Sequence, residues 1–308
     1  MKNMVGYSKE LDFAIDLVRK ASLITEWFKS KGFESFIKSD ESPVTLADLA
    51  SQIYIISQIK DHFSEDEIIA EEENVEFISI KAEDLINKCF NDLNLNTSKE
   101  VKNYIQFRGK HSKRQWTVDP IDGTIGYQMG LTYAVGLGFM EKSNPKVCAL
   151  AVPNYNNNPL AIFAAEKGQG SQVSYDSRHF NPIRVSQTEN LNNIRLCHSL
   201  HYDQPWVLKF ARKIGINNFI QIDSMAKFCM VADGTADLYL KPLDIKHSFT
   251  WDFMPGNLIV SEAGGKVSDL LGEKLSFIKE KCIWNAPGII ASNEILHKRI
   301  LELYKKYL

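Results

Sequence analysis

Between Trp116 and Thr124 the chain reads W-T-V-D-P-I-D-G-T, an apolar approach followed by two aspartates three residues apart and a Gly-Thr exit. Trp116, Thr117 and Val118 favour extended backbone, Pro120 has no place in a sheet interior and Gly123 suits a tight turn. Asp119 and Asp122 are therefore expected to face one spot at a strand's end. Two hard carboxylates converging there can hold a hard cation. If Gly123 and Thr124 open a helix, free backbone N–H groups and the positive end of a dipole aim at an anion beside that cation. Metal plus phosphate is the chemistry implied. Taken alone, the pattern Asp-Pro-x-Asp-Gly is read equally well as a solvated turn.

Other chemistry-bearing side chains also have mundane readings. Asp48 follows Thr45 at capping-box spacing. Glu71, Glu72 and Glu73 form either a solvated acidic turn or a second set of carboxylates delivered by an apolar strand, Ile68-Ile69-Ala70. Asp252 stands in the first turn of a predicted helix, where it complements the dipole, with Trp251 beside it as core. Lys227 and Lys241 are ordinarily surface residues, and His198, between Cys197 and Ser199, is ordinarily a satisfied core histidine.

Composition narrows the classes. A chain of 308 residues suggests about two domains. With 36 basic against 38 acidic residues it carries no electrostatic footprint for nucleic acid, so any phosphate must be gripped locally. The longest apolar run, Tyr133 to Met140, falls short of a membrane span, and Lys9, Glu10 and Asp12 stand where a signal peptide needs an apolar core. A cytoplasmic monomer with no nucleic-acid or membrane partner is expected. Cys89, Cys148, Cys197, Cys229 and Cys282 are odd in number, without C-x-x-C, and read as buried thiols.

The elements that must position these residues follow from periodicity. Leu11, Ala14, Ile15, Val18, Ala21, Ile24 and Phe28 recur at helical spacing and end at Gly32. After a turn-like stretch at 38–43, a second helix runs from the Thr45/Asp48 box to about Lys60. Residues 74–110 read as a helical excursion without chemistry. From Leu131 to Tyr175, apolar runs separated by turn residues predict antiparallel strands. Beyond Ser186 strands and helices alternate: runs at 195–198, 219–222, 236–240 and 288–291, with helices at 205–213, 224–232, 252–263 and after Asn293. These patterns predict an N-terminal α+β metal-binding domain, 1–190, and a C-terminal α/β domain, 191–308.

Three stretches in this order, Glu71 after an apolar strand, D-P-I-D-G-T at 119–124, and W-D-F-M-P-G at 251–256 ahead of E-A-G-G at 262–265, resemble the metal-binding motifs of the inositol monophosphatase superfamily. K-S-D-E-S-P-V-T-L-A-D at 38–48, C-H-S-L-H at 197–201, D-S-M-A-K-F at 223–228 and A-D-L-Y-L-K at 236–241 are similar to its 3′(2′),5′-bisphosphate nucleotidase branch. The resemblance implies a layered α/β/α/β/α sandwich and a lithium-sensitive, Mg²⁺-dependent phosphatase. Its substrate is implied to be a nucleotide bisphosphate, adenosine 3′,5′-bisphosphate and its sulfated precursor.

Position by position, it implies that Glu71, Asp119, Asp122, Asp252 and the Ile121 carbonyl hold two or three Mg²⁺, with the choice between Glu71 and Glu72 left open. Asp48 and Thr124 are implied to activate the attacking water. Gly123, Thr124, His198, Ser199, Ser224, Lys227, Lys241 and Asp252 are implied to bind substrate. Three positions depart from the family pattern. Lys241 stands where arginine is common, Ile125 where lysine is common, and Pro255 replaces a small residue in what reads as a first helical turn. The rival readings are an inositol phosphatase of the same superfamily and a catalytically silent nucleotide-binding homologue.

Overall fold

The structure, a computed structural model, describes residues 8–32, 35–38, 42–73, 76, 78–97, 101–201, 205–242, 248–278 and 288–307. Cys282 and residues 39–41 of the expected turn lie outside the described residues.

Helix α1 (Lys9–Lys31) is the amphipathic helix that its spacing predicts. It is opened by Ser8, whose hydroxyl accepts the Leu11 N–H, and it ends at Gly32 with φ 76°. Two short strands that the sequence did not disclose, β1 (Ser35–Ile37) and β2 (Pro43–Thr45), pair antiparallel before α2 (Leu46–His62). The capping box is formed: Asp48 Oδ2 accepts the Thr45 N–H at 2.8 Å while Thr45 Oγ1 accepts the Ala47 and Asp48 N–H groups.

Strand β3 (Glu67–Ala70) pairs in parallel with β4 (Arg114–Asp122), and the excursion between them contains α3 (Ile80–Asp92) and α4 (Val101–Ile105). After α5 (Thr124–Gln128) come β5 (Ala134–Glu141), β6 (Asn144–Tyr155), β7 (Asn158–Glu166), β8 (Gly170–Ser174) and β9 (Asn181–Ile183). They extend the first sheet as an antiparallel meander, giving the order β3-β4-β5-β6-β7-β8-β9.

The second sheet is built from β10 (Arg195–His198), β11 (Asn218–Gln221), β12 (Leu238–Pro242), β13 (Gly265–Asp269) and β14 (Gly288–Asn293), in the order β11-β10-β12-β14-β13. Strand β10 runs parallel to β11 and β12, whereas β14 opposes β12 and β13. The helices here are α6 (Pro205–Lys213), α7 (Ala226–Ala232), α8 (Thr250–Glu262) and α9 (Glu294–Tyr307). Strand β13 escaped the sequence reading because G-K-V-S-D carries one strongly apolar side chain, Val267.

These elements stack in five layers. Helices α1 and α2 cover one face of the seven-stranded sheet, α7 and α8 fill the space between the two sheets, and α6 and α9 cover the far face of the second. The layered α/β/α/β/α expectation matches this arrangement. Phe253, Met254 and Ile259 of α8 join Leu150 and Phe163 of the first sheet and Tyr239 and Ile289 of the second in one buried cluster.

Two details of α8 depart from expectation. It begins at Thr250, so Pro255 is its sixth residue and stands in the second turn. The helix nevertheless continues to Glu262, at the cost of the bond that residue 255 would have given to the Trp251 carbonyl. At Gly256 a Cβ would come within 2.2 Å of the Phe228 ring, so the close approach of α7 requires glycine there.

The thiols of Cys89, Cys148, Cys197 and Cys229 are free and buried, as their pattern predicts. Among the described residues no helix is long and apolar enough to cross a membrane.

His297 of α9 is fully buried, with Nε2 2.8 Å from Ser268 Oγ. Burial, helped by the Lys266 charge, holds its imidazole down at about 4. An unfolded histidine titrates near 6.5, so the unfolded chain takes up the extra proton first and stability falls as pH drops from ~6.5 to ~4. His297→Gln is expected to flatten that limb of the pH–stability curve by ~2–3 kcal/mol in denaturant melts. An unchanged slope in the variant would remove His297 as the cause.

Candidate active site

Strand β4 delivers the two central carboxylates by an unexpected route. The strand continues through Pro120 to Asp122, but its ladder with β5 breaks between Asp119, opposite Gly136, and Asp122, opposite Ala134. A residue lacking an N–H is tolerated at such an irregularity, and the break turns both aspartates toward one side. The Pro120 carbonyl is taken up by Ser51 Oγ of α2 at 3.3 Å. Gly123, at φ 89°, then turns the chain into α5. A Cβ on Gly123 would lie 3.2 Å from Ser224 Cβ, so the turn packs directly against the second sheet's loop.

Helix α8 supplies the third carboxylate. Asp252 Oδ2 accepts the Phe249 N–H at 3.2 Å, and Phe249 stacks on Trp251 with ring centroids 4.5 Å apart. Asp252 thus does carry the helix-end role expected of it, while its charge also faces the β4 aspartates. Carboxylate oxygens of Asp119, Asp122 and Asp252 lie within 4.8 Å of one another. Such crowding in an enclosed place penalises ionisation. Burial, followed by the charges of Glu71, Asp122 and Asp252, lifts Asp119 well above the ordinary range. Asp252 is pushed up to about 7, chiefly by burial, against the pull of Lys241. Asp119 Oδ1 is buried without a hydrogen-bond partner. A buried orphan oxygen among hard oxygen donors fits a hard divalent cation.

Glu71 stands beside this trio instead of within it. Its Oε1 accepts Lys38 Nζ at 2.8 Å, and the same ammonium reaches Glu72 Oε1 at 2.7 Å. Glu72 is buried, and its main chain is clamped by Gln52, which donates to the Glu72 carbonyl and accepts the Glu72 N–H. Both glutamates repel Asp48, but of the two Glu71 is the one whose charge is felt at Asp119, Asp122 and Asp252.

Thr124 Oγ1 donates either to Asp48 Oδ1, 3.3 Å away, or to the Ile121 carbonyl, 3.2 Å away. Asp48 is fully buried, and its other oxygen accepts Thr45 Oγ1 at 2.5 Å as well as the Thr45 N–H. Burial pushes Asp48 up to about 7, against the hydrogen bonds from Thr45 and with added repulsion from Glu71. One carboxylate therefore caps α2 with one oxygen and faces Thr124 with the other.

The second sheet brings the cationic side. Ser224 has φ 66° and lies before α7, not on it. The reason is that its own hydroxyl accepts the Ala226 N–H while the Met225 N–H is given to Asp122 Oδ2. Lys227 is buried, with Nζ 3.3 Å from the Ile222 carbonyl and 5.5 Å from the Tyr239 ring centroid. Burial lowers Lys227 to about 8, against the attraction of Asp122 and Asp223. Lys241 Nζ sits 4.7 Å over the Phe253 ring, and its charge acts on both Asp122 and Asp252. His198 is buried edge-on to Phe219, and Ser199 donates to Asp223 Oδ1 at 2.8 Å, which ties Ser199 to Asp223.

Two contributors carried no role in the sequence: Lys38 between Glu71 and Glu72, and Asp223; Thr45 was expected only as a cap, and its hydroxyl also donates to Asp48. Lys38 and Asp223 stand inside quoted motifs, but their partners are distant in sequence and the pairings could not be read there.

Residues 7–308 match the inositol monophosphatase family. A 3′(2′),5′-bisphosphate nucleotidase of Schizosaccharomyces pombe is 31% identical, the match covering 97% of this chain and 95% of that one. One of Emericella nidulans is 30% identical with 99% of each chain covered. The 3′,5′-bisphosphate nucleotidase 2 of Arabidopsis thaliana is 30% identical, covering 98% of this chain and 97% of its own. Among solved structures, the Thermotoga maritima IMPase has a TM-score of 0.71 at 23% identity, with 96% of this chain and 97% of that one covered. The Anabaena inositol monophosphatase has a TM-score of 0.67 at 19% identity, with 96% and 95% covered. Both share the fold.

If the carboxylate trio holds a cation, saturating Mg²⁺ or Mn²⁺ should raise the melting temperature, by an amount equivalent to ~2–3 kcal/mol at a hundred times the dissociation constant. Asp119→Asn should lose that rise while melting no lower than the parent in chelator, because the substitution relieves repulsion. A full metal-induced rise in the variant would show that the ions bind elsewhere.

Proposed function

The chain belongs to the inositol monophosphatase family, and from that premise we propose that it is a metal-dependent phosphatase that removes the 3′-phosphate of adenosine 3′,5′-bisphosphate, leaving the 5′-nucleotide. The relatives named as bisphosphate nucleotidases match along nearly the whole chain, which supports the substrate class. The observation that carries the reading is the Thr124–Asp48 pair set beside three converging carboxylates, because binding alone has no use for a water-activating pair. A catalytically silent homologue is correspondingly disfavoured.

Asp119, Asp122, Asp252, the Ile121 carbonyl and Glu71 are the groups we assign to the ions. Two or three Mg²⁺ held there would supply Lewis acidity toward the phosphoryl oxygens and would neutralise the charge that builds on them. Thr124 Oγ accepts a proton from the attacking water while passing its own to Asp48 Oδ1. Asp48, held near neutrality by burial, is a better base than an exposed aspartate. Attack in line on phosphorus forms one P–O bond as the bond to the ribose oxygen breaks, and that oxygen leaves as the 3′-hydroxyl with a proton from solvent; the protein's part is largely positioning and electrostatics. Gly123 and Thr124 line the phosphate's place, while Ser224, Lys227 and Lys241, with His198 and Ser199 behind them, are assigned to the rest of the nucleotide. The sulfated precursor, 3′-phosphoadenylyl sulfate, fits the same assignment. We also take the two sheets as the basis of the units 1–190 and 191–308, since β9 ends at Ile183 and β10 starts at Arg195.

Phosphate release measured across nucleotide, sugar and inositol phosphates should rank adenosine 3′,5′-bisphosphate far above inositol 1-phosphate, and should stop in chelator. The reverse ranking would move the enzyme to inositol phosphate chemistry. Asp48→Asn should lower kcat by ~10²–10⁴-fold with little change in KM; a KM effect alone would make Asp48 a binding residue. Lithium at millimolar concentration should inhibit by competing for a weakly held Mg²⁺ position, and uninhibited turnover would count against the nucleotidase branch.

A further inference from the structure

One turn of α2 touches three segments that build the site. Asp48, Ser51 and Gln52, at i, i+3 and i+4, lie on one helix face, and each is fully buried. Asp48 Oδ1 faces Thr124 at the start of α5, and Ser51 Oγ donates to the Pro120 carbonyl in the break of β4. Gln52 takes the third segment, the exit of β3. Its Nε2 donates to the Glu72 carbonyl at 2.6 Å and its Oε1 accepts the Glu72 N–H at 2.9 Å. Nε2 also lies 3.4 Å from the Ile105 carbonyl of α4, which fixes the amide's orientation, since a flipped amide would set its oxygen against two carbonyls. Arg108 adds a bond to the Glu72 carbonyl at 3.0 Å, whereas Gln52 takes both main-chain groups of that residue.

The need for such a clamp lies in how the ladder ends. Ala70 is the last residue of β3 paired with β4, opposite Val118, and the Glu71 N–H still donates to the Val118 carbonyl at 3.3 Å. The pairing stops there, just before β4 enters its irregular stretch. The Gln52 amide gives the Glu72 peptide the donor and the acceptor that a neighbouring strand would have given. Glu71 is thereby held from both sides, by a ladder bond on its own N–H and by the clamp one residue on. Its carboxylate meets Lys38, whose long stem sets no fixed point for it. The place of that carboxylate, the strongest charge influence on Asp119, therefore rests on the main chain. We propose that Gln52 is a positioning residue for Glu71: standing in for the missing strand at residue 72, it sets the Glu71 carboxylate where it joins Asp119 as a ligand of a divalent cation. A single helical turn then serves as common gauge for the base, the strand break and the glutamate. The inference rests on the assignment of Glu71 to the ions above.

Mn²⁺ binding to the full chain, read by calorimetric titration without substrate, tests this. Gln52→Met, similar in size and unable to bond the Glu72 main chain, should weaken Mn²⁺ by ~tenfold, the usual effect of losing a partner that orients a metal ligand. Glu71→Gln should weaken it by at least as much. The double variant should bind within about twofold of Glu71→Gln alone, because Gln52 acts only through Glu71. A loss that recurs in full when Gln52→Met is added to Glu71→Gln would overturn the proposal and leave Gln52 as a general prop of the fold. Parental Mn²⁺ affinity in Gln52→Met would overturn it as well. If Gln52→Met does not fold, Gln52→Glu, which keeps the length and an acceptor for the Glu72 N–H, goes through the same cycle and is judged by the same non-additivity. Parental Mn²⁺ affinity in Glu71→Gln would sink the metal assignment itself and the proposal with it. That result is distinct from a failure of Gln52 alone, in which Glu71→Gln is impaired and Gln52→Met is not.

Discussion

Everything in this molecule answers to the mutual repulsion of acidic groups held close together away from bulk water. Asp119, Asp122 and Asp252 come within 4.8 Å of one another, Glu71 and Asp48 stand near, and each of the three is raised above its ordinary pKa. At such separations in a partly desolvated site the electrostatic cost is several kcal/mol per pair, large against the net stability of a domain. The chain meets it with rigid delivery. One carboxylate is fixed by a strand, one by the irregular end of that strand, and one by a helix end locked to Phe249. A buried oxygen on Asp119 is left with no protein partner, which is what a cation site requires and a purely structural core avoids.

The second theme is the seam between the sheets. The Met225 N–H given to Asp122 and the packing of Gly123 on Ser224 tie the acidic end of β4 to the loop before α7. The anionic pole comes mainly from the first sheet and the cationic pole, Lys227 and Lys241, from the second. Asp252 of α8 is the exception, a carboxylate that the second half adds to the anionic pole. The left-handed backbone of Ser224 follows from that junction, since two successive N–H groups are drawn off to side chains before a helix can start.

Much of this was legible in sequence wherever the determinant is local. The long apolar stripe of α1, the Thr45/Asp48 box, the antiparallel meander after Leu131 and the carboxylates of β4 follow from spacing and residue type, and the structure places them as expected. What escaped was set by partners far along the chain. Strand β13 has too little apolar content to announce itself and exists because β14 offers it a ladder. Strand β4 passes through Pro120 because the ladder breaks there, a tertiary accommodation invisible in W-T-V-D-P-I-D-G-T. Pro255 in the second turn of α8 is tolerated because the helix is buried between the sheets, where packing outweighs one lost bond. Lys38 and Asp223 meet their partners across 33 and 24 residues respectively, distances over which no pattern rule operates.

The central position of α8 has a mechanical consequence. The helix is apolar around most of its circumference, with Trp251, Phe253, Met254, Leu258, Ile259 and Val260 all buried, and it serves as common wall to both sheets. A wall used from both sides cannot be withdrawn from one. Were the two sheets to separate, each would bare a large oily face at once, so they are bound to melt in a single concerted step. Asp252, carried on that wall, disappears from the catalytic cleft in the same event.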